Sequence, residues 1–393
     1  MAAPASFDFD AIIPRHQSGS FKWDSNPGAD VLPMWVADMD FSAAPAVLDA
    51  LARRVEHGVF GYTLIRDDYY LALSGWFERR YGFVIQRDQV LTTTGVVPAI
   101  SAILRALTTP GDGVIVQTPV YHCFFSSIRN QGCNVVENPL RLINGRYEMD
   151  FTHLEQQAAD SRNKLLLLCH PHNPSGRVWT AEELRRLGDI CARHQVVVVS
   201  DEIHCDLLFP GESHQPFAAL GPEYQANAIT LNSPSKSFNL AGLQIANIIV
   251  ADQGIKALIQ QALHIHDVAQ VNPFGVEGLI AAYNEGGPWL DALLDYLYGN
   301  YQLIQSFLRS RLPLLTVYPQ QSTYLAWINT TATGLSSDEL AHRLLTDGKL
   351  RISSGNGFLP GSETAAAFIR LNFACPRVLL QDGLERLYRV ING

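Results

Sequence analysis

The sequence predicts an α/β fold: a large domain on a mostly parallel central sheet, followed by a smaller α+β domain. Three observations predict it. Short, strongly apolar runs recur about every 30 residues, the spacing of βαβ units. Their apolar character is continuous rather than alternating, as in strands buried on both faces. Past residue 290 the pattern changes to one long helical segment and two separate strand-like runs.

The elements follow in order. Residues 1–48, rich in Pro, Trp and Asp, are expected to pack as an N-terminal segment on the small domain. Residues 49–287 form the large domain and 288–393 the small one. "VLTTTGVVPAI" (90–100) reads as a strand, a Thr/Gly turn and a helix start with Pro98 in its first turn. The strand candidates are then "GVIVQ" (113–117), "KLLLLC" (164–169), "VVVVS" (196–200), "AITLN" (228–232) and "QIANIIVA" (244–251), all suited to parallel pairing. Between them, "TAEELRRLGDICARH" (180–194) is a helix, with Thr180 as N-cap and Glu183 as its capping-box partner. The small domain holds the long helix at 288–312 and the strands "STYLAWIN" (322–329) and "AFIRLNFA" (367–374).

Composition narrows the function. Of 393 residues 47% are hydrophobic and 17% charged, which describes a globular chain with a large core. A net charge of −9 disfavours non-specific binding to nucleic acid or an anionic membrane. No apolar stretch is long enough to span a bilayer, and "MAAPASFDFD" lacks a basic region followed by an apolar run, so no secretory signal is expected. The six cysteines are scattered without a CxxC pair. They read as free thiols in a reducing cytoplasm. Only five of the 29 basic residues are lysines, so few amines are available for chemistry.

In open parallel sheets ligands bind beyond the carboxyl ends of the strands. After 164–169 comes "HPHNPSG", with Asn173; after 196–200 comes "DEIH", with Asp201 and His204; after 228–232 comes "SPSK", with Ser233, Ser235 and Lys236. Singly each has a plainer use: Asn-Pro forms turns, Asp caps helices, and a lone lysine is usually a surface residue. Jointly they meet the needs of pyridoxal 5′-phosphate (PLP). The aldehyde takes a lysine, the pyridine nitrogen a carboxylate, the ring oxygen a hydrogen-bond donor, and the phosphate the N–H groups of a helix start.

"HPHNPSG", "VSDEIH" and "SPSKSFNLAGLQ", in this order, resemble fold-type I PLP enzymes of the aminotransferase class I/II superfamily. "LPMWVADMDF" (32–41), "HGVFGYT" (57–63), "TPVYHCF" (118–124), "GGPWLDAL" (286–293) and "STYLAW" (322–327) resemble, more narrowly, the MalY/PatB group of cystathionine β-lyases, or cysteine-S-conjugate β-lyases. The resemblance runs from about residue 7 to the C-terminus. It implies a C–S lyase that releases thiol, pyruvate and ammonia, working as a homodimer. Lys236 then carries PLP as a Schiff base and moves the Cα proton. Asp201 pairs with the pyridine nitrogen, Asn173 meets the ring oxygen with His204 near it, and Tyr121 stacks on the ring. Gly95, Val96, Val97, Ser233 and Ser235 bind the phosphate, with Tyr62 reaching it from the other subunit. Arg370 binds the substrate α-carboxylate through a bidentate fork. Tyr121 and Asn173 also border the substrate, and Trp35 and Val36 line its entrance.

The sequence departs from the group at Thr93-Thr94-Gly95, in the loop 351–361 and at "FACP" after Arg370. These departures bear on the substrate more than on the cofactor. Gln244 stands where aminotransferases with this stretch commonly carry arginine, which favours lyase over aminotransferase, the alternative reading. A regulatory protein retaining the fold is a further alternative. A nicotinamide dehydrogenase would want GxGxxG after the first strand, and none is present. His170, His172, His204 and Asp201 do not make a recognisable metal-ligand spacing, so no metal is expected.

Overall fold

The computed structural model describes residues 7–359 and 367–393. Residues 1–6, and Pro360 and Gly361 of the 351–361 loop, lie outside them. Seven strands form the large sheet in the spatial order Val90–Thr93, Ala246–Val250, Ala228–Asn232, Val197–Asp201, Asn163–Cys169, Gly113–Val116 and Asn134–Glu137. The last five pair in parallel.

One strand corrects the expectation. Ala246–Val250 runs antiparallel to both neighbours. All five of its residues are buried, and that burial is what continuous apolarity reports; it carries no direction. Residues 233–245 hold only a one-turn helix, Pro234–Ser237, and a 3-10 turn, Ala241–Leu243. The chain therefore doubles back, where a parallel return would use a full crossover helix. The sequence also gave no warning of the edge strand Asn134–Glu137 or of the hairpin Arg141–Ile143/Arg146–Glu148. Both are short and largely exposed or half-buried, so they lack an apolar signature.

The helix Ala181–Arg193 opens as its sequence requires. Glu183 N–H donates to Thr180 Oγ1 at 3.1 Å, and Thr180 N–H donates to Glu183 Oε2 at 2.8 Å. Helix Gly287–Arg311 then leads to a second, antiparallel sheet ordered Thr316–Val317, Leu325–Asn329, Phe368–Asn372 and Ser353–Ser354.

The N-terminal segment links the two sheets. Leu32–Pro33 pairs in parallel with Leu350–Arg351. Residues beyond it approach the carboxyl ends of the large sheet, where Lys236 Nζ donates to Ala37 O at 2.7 Å. A buried charge cluster anchors this crossing. Lys22, 2% exposed, donates to Asp40 Oδ2 at 2.7 Å, while Arg15 and Trp23 both donate to Asp40 Oδ1. Burial alone would lower the Lys22 pKa, but Asp40 and then Asp38 outweigh it and raise the amine above its ordinary value. The pair is thus charged inside the protein, where removing one partner leaves an uncompensated ion.

Asp40→Ala is expected to destabilise the fold by about 3–5 kcal/mol in denaturant melts, whereas the double change Lys22→Met/Asp40→Leu recovers most of that loss. A single mutant within 1 kcal/mol of the parent would show that the cluster is not a structural anchor.

Candidate active site

A cavity of about 450 Å³ opens where the parallel strands end. Each strand delivers its polar residue within a few positions of its last buried residue. Asp201 is the final residue of Val197–Asp201; Ser233 and Lys236 follow Ala228–Asn232; Asn173 follows Asn163–Cys169; Gly95 follows Val90–Thr93. Parallel pairing brings the first three of these strand ends to the same edge.

Burial sets the electrostatics. Asp201 is 5% exposed, and desolvation raises its carboxyl to about 7, although the Ile203 N–H and the Lys236 charge pull the other way. The Lys236 amine is lowered to about 8, chiefly by burial and further by Arg370, against the opposing pull of Asp38 and Asp201. His204 is pushed down to about 3 by burial, with Lys236 and Arg370 acting in the same direction, so its imidazole is neutral. Its Nδ1 is buried without a hydrogen-bond partner among the described residues. Burial also raises the Tyr121 phenol well above its usual range and keeps it neutral.

Arg370 lies on the central strand Phe368–Asn372 of the second sheet, 4% exposed. Its Nη1 donates to Asn173 Oδ1 at 3.1 Å and its Nη2 to Trp35 O at 2.8 Å, while Nε has no partner among the described residues. Burial lowers its pKa to about 10, so it stays charged at neutral pH. A buried guanidinium with an idle N–H beside an empty-handed imidazole is a donor set waiting for an anion.

At the opposite end the helix Val96–Leu107 starts directly after Gly95, and no side chain caps it. Its first residues, Val96 and Val97, line the cavity, and the unpaired N–H groups of a helix start favour an anion. Ser235 borders the same cavity. Ser233 does too, but its hydroxyl donates to Ile245 O at 2.6 Å and accepts from Ser235 N–H at 3.1 Å, so its proton is already engaged. Gln244, left-handed at φ 51°, lines the cavity with a neutral side chain.

Of the residues singled out from sequence, Lys236, Asp201, Tyr121, Asn173, His204, Gly95, Val96, Val97, Ser233, Ser235, Arg370, Trp35 and Val36 all line this one cavity. Tyr62 does not. It is 98% exposed and borders separate surface grooves with Arg66 and Pro273. His170 and His172 lie behind the site, with His170 Nε2 facing Gln215 O and His172 Nδ1 facing Ser175 Oγ. Sequence reasoning missed Phe21, His122, Ser353, Ser354 and Phe358, which complete the wall. Phe21, Ser353, Ser354 and Phe358 reach the site from segments away from the large sheet's strand ends; His122 follows Tyr121, six residues past the strand Gly113–Val116, where the ring by itself signals no role.

An amine able to lose its proton, a carboxyl that a cationic ring nitrogen would hold ionised, an uncapped helix start and a buried, charged guanidinium fit PLP and an amino-acid carboxylate. Comparison with known proteins agrees. Residues 29–387 match the family described as aminotransferase class I and II. The chain is 41% identical to cystathionine beta-lyase PatB of Bacillus subtilis, over 97% of this chain and 98% of that one. It is 34% identical to protein MalY of Escherichia coli, over 98% and 99% of the two chains. The structure of cystalysin from Treponema denticola, which contains a PLP cofactor, superposes with a TM-score of 0.95 at 34% identity, covering 99% of each chain. The chain therefore belongs to the class I and II aminotransferase family, and within it to the PatB/MalY type.

Proposed function

We propose that the protein is a PLP-dependent carbon–sulfur β-lyase that cleaves L-cystathionine or related cysteine S-conjugates to thiol, pyruvate and ammonia. The observation that carries this reading is the convergence of Lys236, Asp201 and Arg370 in one cavity of a chain related over its full length to PatB and MalY. An aminotransferase would use the same residues, so the kinship decides between the two.

When bound, PLP supplies an electron-poor ring that takes up the electron pair left as the Cα–H bond breaks. The chain's own residues do the rest. Lys236 would hold the aldehyde, and its amine, free once substrate has taken its place, would take the Cα proton. Asp201 keeps the ring nitrogen protonated; a cationic neighbour returns its carboxyl to the ionised state that burial opposes. Asn173 and neutral His204 would hydrogen-bond the ring oxygen, and Tyr121 would pack against the ring. The N–H groups of Val96 and Val97, with Gly95 giving backbone access and the Ser235 hydroxyl beside them, would hold the phosphate, while Ser233, its proton given to Ile245 O, accepts from Ser235 N–H and so positions it. Arg370 grips the α-carboxylate and so orients Cα toward Lys236.

Among the described residues no helix is long and apolar enough to cross a membrane, and all six cysteines are free. Both support a cytoplasmic location. Phe60, Tyr62 and Leu64 are exposed at 54%, 98% and 78%, an apolar strip that a second copy would cover. In the proposed homodimer Tyr62 completes the partner's phosphate site.

Purified protein given L-cystathionine should release thiol and pyruvate together; amino transfer to a 2-oxo acid without pyruvate would refute the lyase. Lys236→Ala should abolish the visible absorbance of lysine-bound PLP and lower kcat by roughly 10²–10⁴-fold. PLP uptake by the cofactor-free protein needs a neutral Lys236 amine. Because burial lowers its pKa to about 8, uptake should rise with pH up to about 8 and then level off. A rise continuing toward about 10, the ordinary lysine value, would contradict the burial effect. Sedimentation should give a dimer, and a fully active monomer would exclude the shared site.

A further inference from the structure

Part of the cavity wall is built from rings that pack on one another and on Arg370. Phe21 is 70% exposed yet lines the cavity, its ring tilted against Trp35 at 5.4 Å. His122 meets Tyr121 edge-on at 4.8 Å and Phe358 at 6.4 Å. Phe358, 2% exposed, lies beneath the Arg370 guanidinium at 4.8 Å. Desolvation, and then Arg370, lower the His122 pKa, so at neutral pH it presents an uncharged ring.

Charge in the cavity is already allocated. Among the described residues, the lysine and arginine side chains that line the cavity are Lys236 and Arg370, and the one carboxylate is Asp201. The mechanism gives Lys236 to the aldehyde, Arg370 to the α-carboxylate and Asp201 to the ring nitrogen. Arg351 lies over Trp35 at 3.9 Å, but its guanidinium donates to Ser25 O and Asn26 Oδ1, and it does not line the cavity. Residues 1–6 and 360–366 contain no lysine or arginine in their sequence, and Glu363 is the one charged residue among them. Among the described residues, a substituent on the substrate sulfur therefore meets aromatic carbon and the hydroxyls of Ser353 and Ser354, with no further charged side chain lining the cavity.

We propose that the Phe21–Trp35 rim, backed by Phe358 and neutral His122, selects uncharged apolar substituents on sulfur. S-alkyl and S-aryl cysteines are then better substrates than thioethers charged at the far end, L-cystathionine included. This specificity rests on the lyase reading above. Each methylene moved from water onto the rim is worth about a four-fold gain. A charged terminus placed there loses hydration and gains no partner. Phe21 fits the role of reader: a large aromatic left exposed at a cavity mouth contributes little to the core and presents its face to whatever enters.

The test uses the holoenzyme and measures thiol and pyruvate from S-methyl-, S-propyl- and S-benzyl-L-cysteine, from S-(2-aminoethyl)-L-cysteine, the charged counterpart of the propyl compound, and from L-cystathionine. We expect kcat/KM to rise about four-fold per methylene from methyl to propyl. S-propyl-L-cysteine should exceed its aminoethyl counterpart, and S-benzyl-L-cysteine should exceed L-cystathionine, each by about ten-fold or more. Phe21→Ala should lower the S-benzyl to S-methyl ratio of kcat/KM several-fold, and Phe21→Leu should restore part of it. A flat alkyl series, equal or better turnover of the charged substrates, or an Arg351→Ala variant that loses L-cystathionine turnover selectively would overturn the proposal. Absence of thiol and pyruvate from every substrate would instead overturn the lyase reading itself.

Discussion

Every backbone carbonyl from Trp35 to Met39 is held by a side chain from elsewhere in the protein, and the site depends on that constraint. Arg370 donates to Trp35 O, Asn372 to Val36 O and Asp38 O, Lys236 and Tyr324 to Ala37 O, and Arg15 and Asn239 to Met39 O. A backbone stretch lying between two sheets has no ladder of its own to satisfy it. Here Lys236 from the large sheet and Arg370 from the second bind consecutive parts of one strap. Their relative position is therefore fixed through a third segment, and that segment is itself anchored by Lys22 and Asp40.

The same arrangement explains the charge states. Burial dominates each titration. It lowers the Lys236 amine and raises the Asp201 carboxyl until the two lie about one unit apart, at about 8 and about 7. Neither group is strongly committed to its charged form, so a cofactor that offers an aldehyde to one and a ring nitrogen to the other meets a low desolvation cost. Arg370, held to about 10, keeps its charge and becomes the fixed positive point for an incoming carboxylate. His204 contributes hydrogen-bonding capacity without charge. Polarity is concentrated around the reacting carbon, and the mouth beyond it is aromatic.

Much of this was legible in the residues because the relevant rules are local. Thr180 and Glu183 announced their helix through the capping box. Asp201, Asn173 and Lys236 stood within a few residues of continuous apolar runs, and a strand end in an open sheet is where ligands bind. The direction of Ala246–Val250 was not legible, since a fully buried strand looks alike whichever way it runs. Phe21, His122 and Phe358 were not legible either: an aromatic residue at the end of a helix or 3-10 turn carries the same local signature whether it packs in a core or faces a substrate.

The sequence by itself determined the α/β class, the strand-end placement of the reactive groups and, through "SPSKSFNLAGLQ" and its companions, the family. Each is encoded by nearest neighbours along the chain: apolar runs, caps, and polar residues at fixed offsets from buried strands. Only the tertiary structure decided which groups share a cavity with Lys236, how far burial moves their pKa values, and that among the described residues the remaining wall is lined by rings with no further charged side chain. Desolvation and pairing are properties of the folded surroundings. They depend on segments as distant as Phe21 and Arg370 arriving at one place, and no spacing along the chain records that meeting.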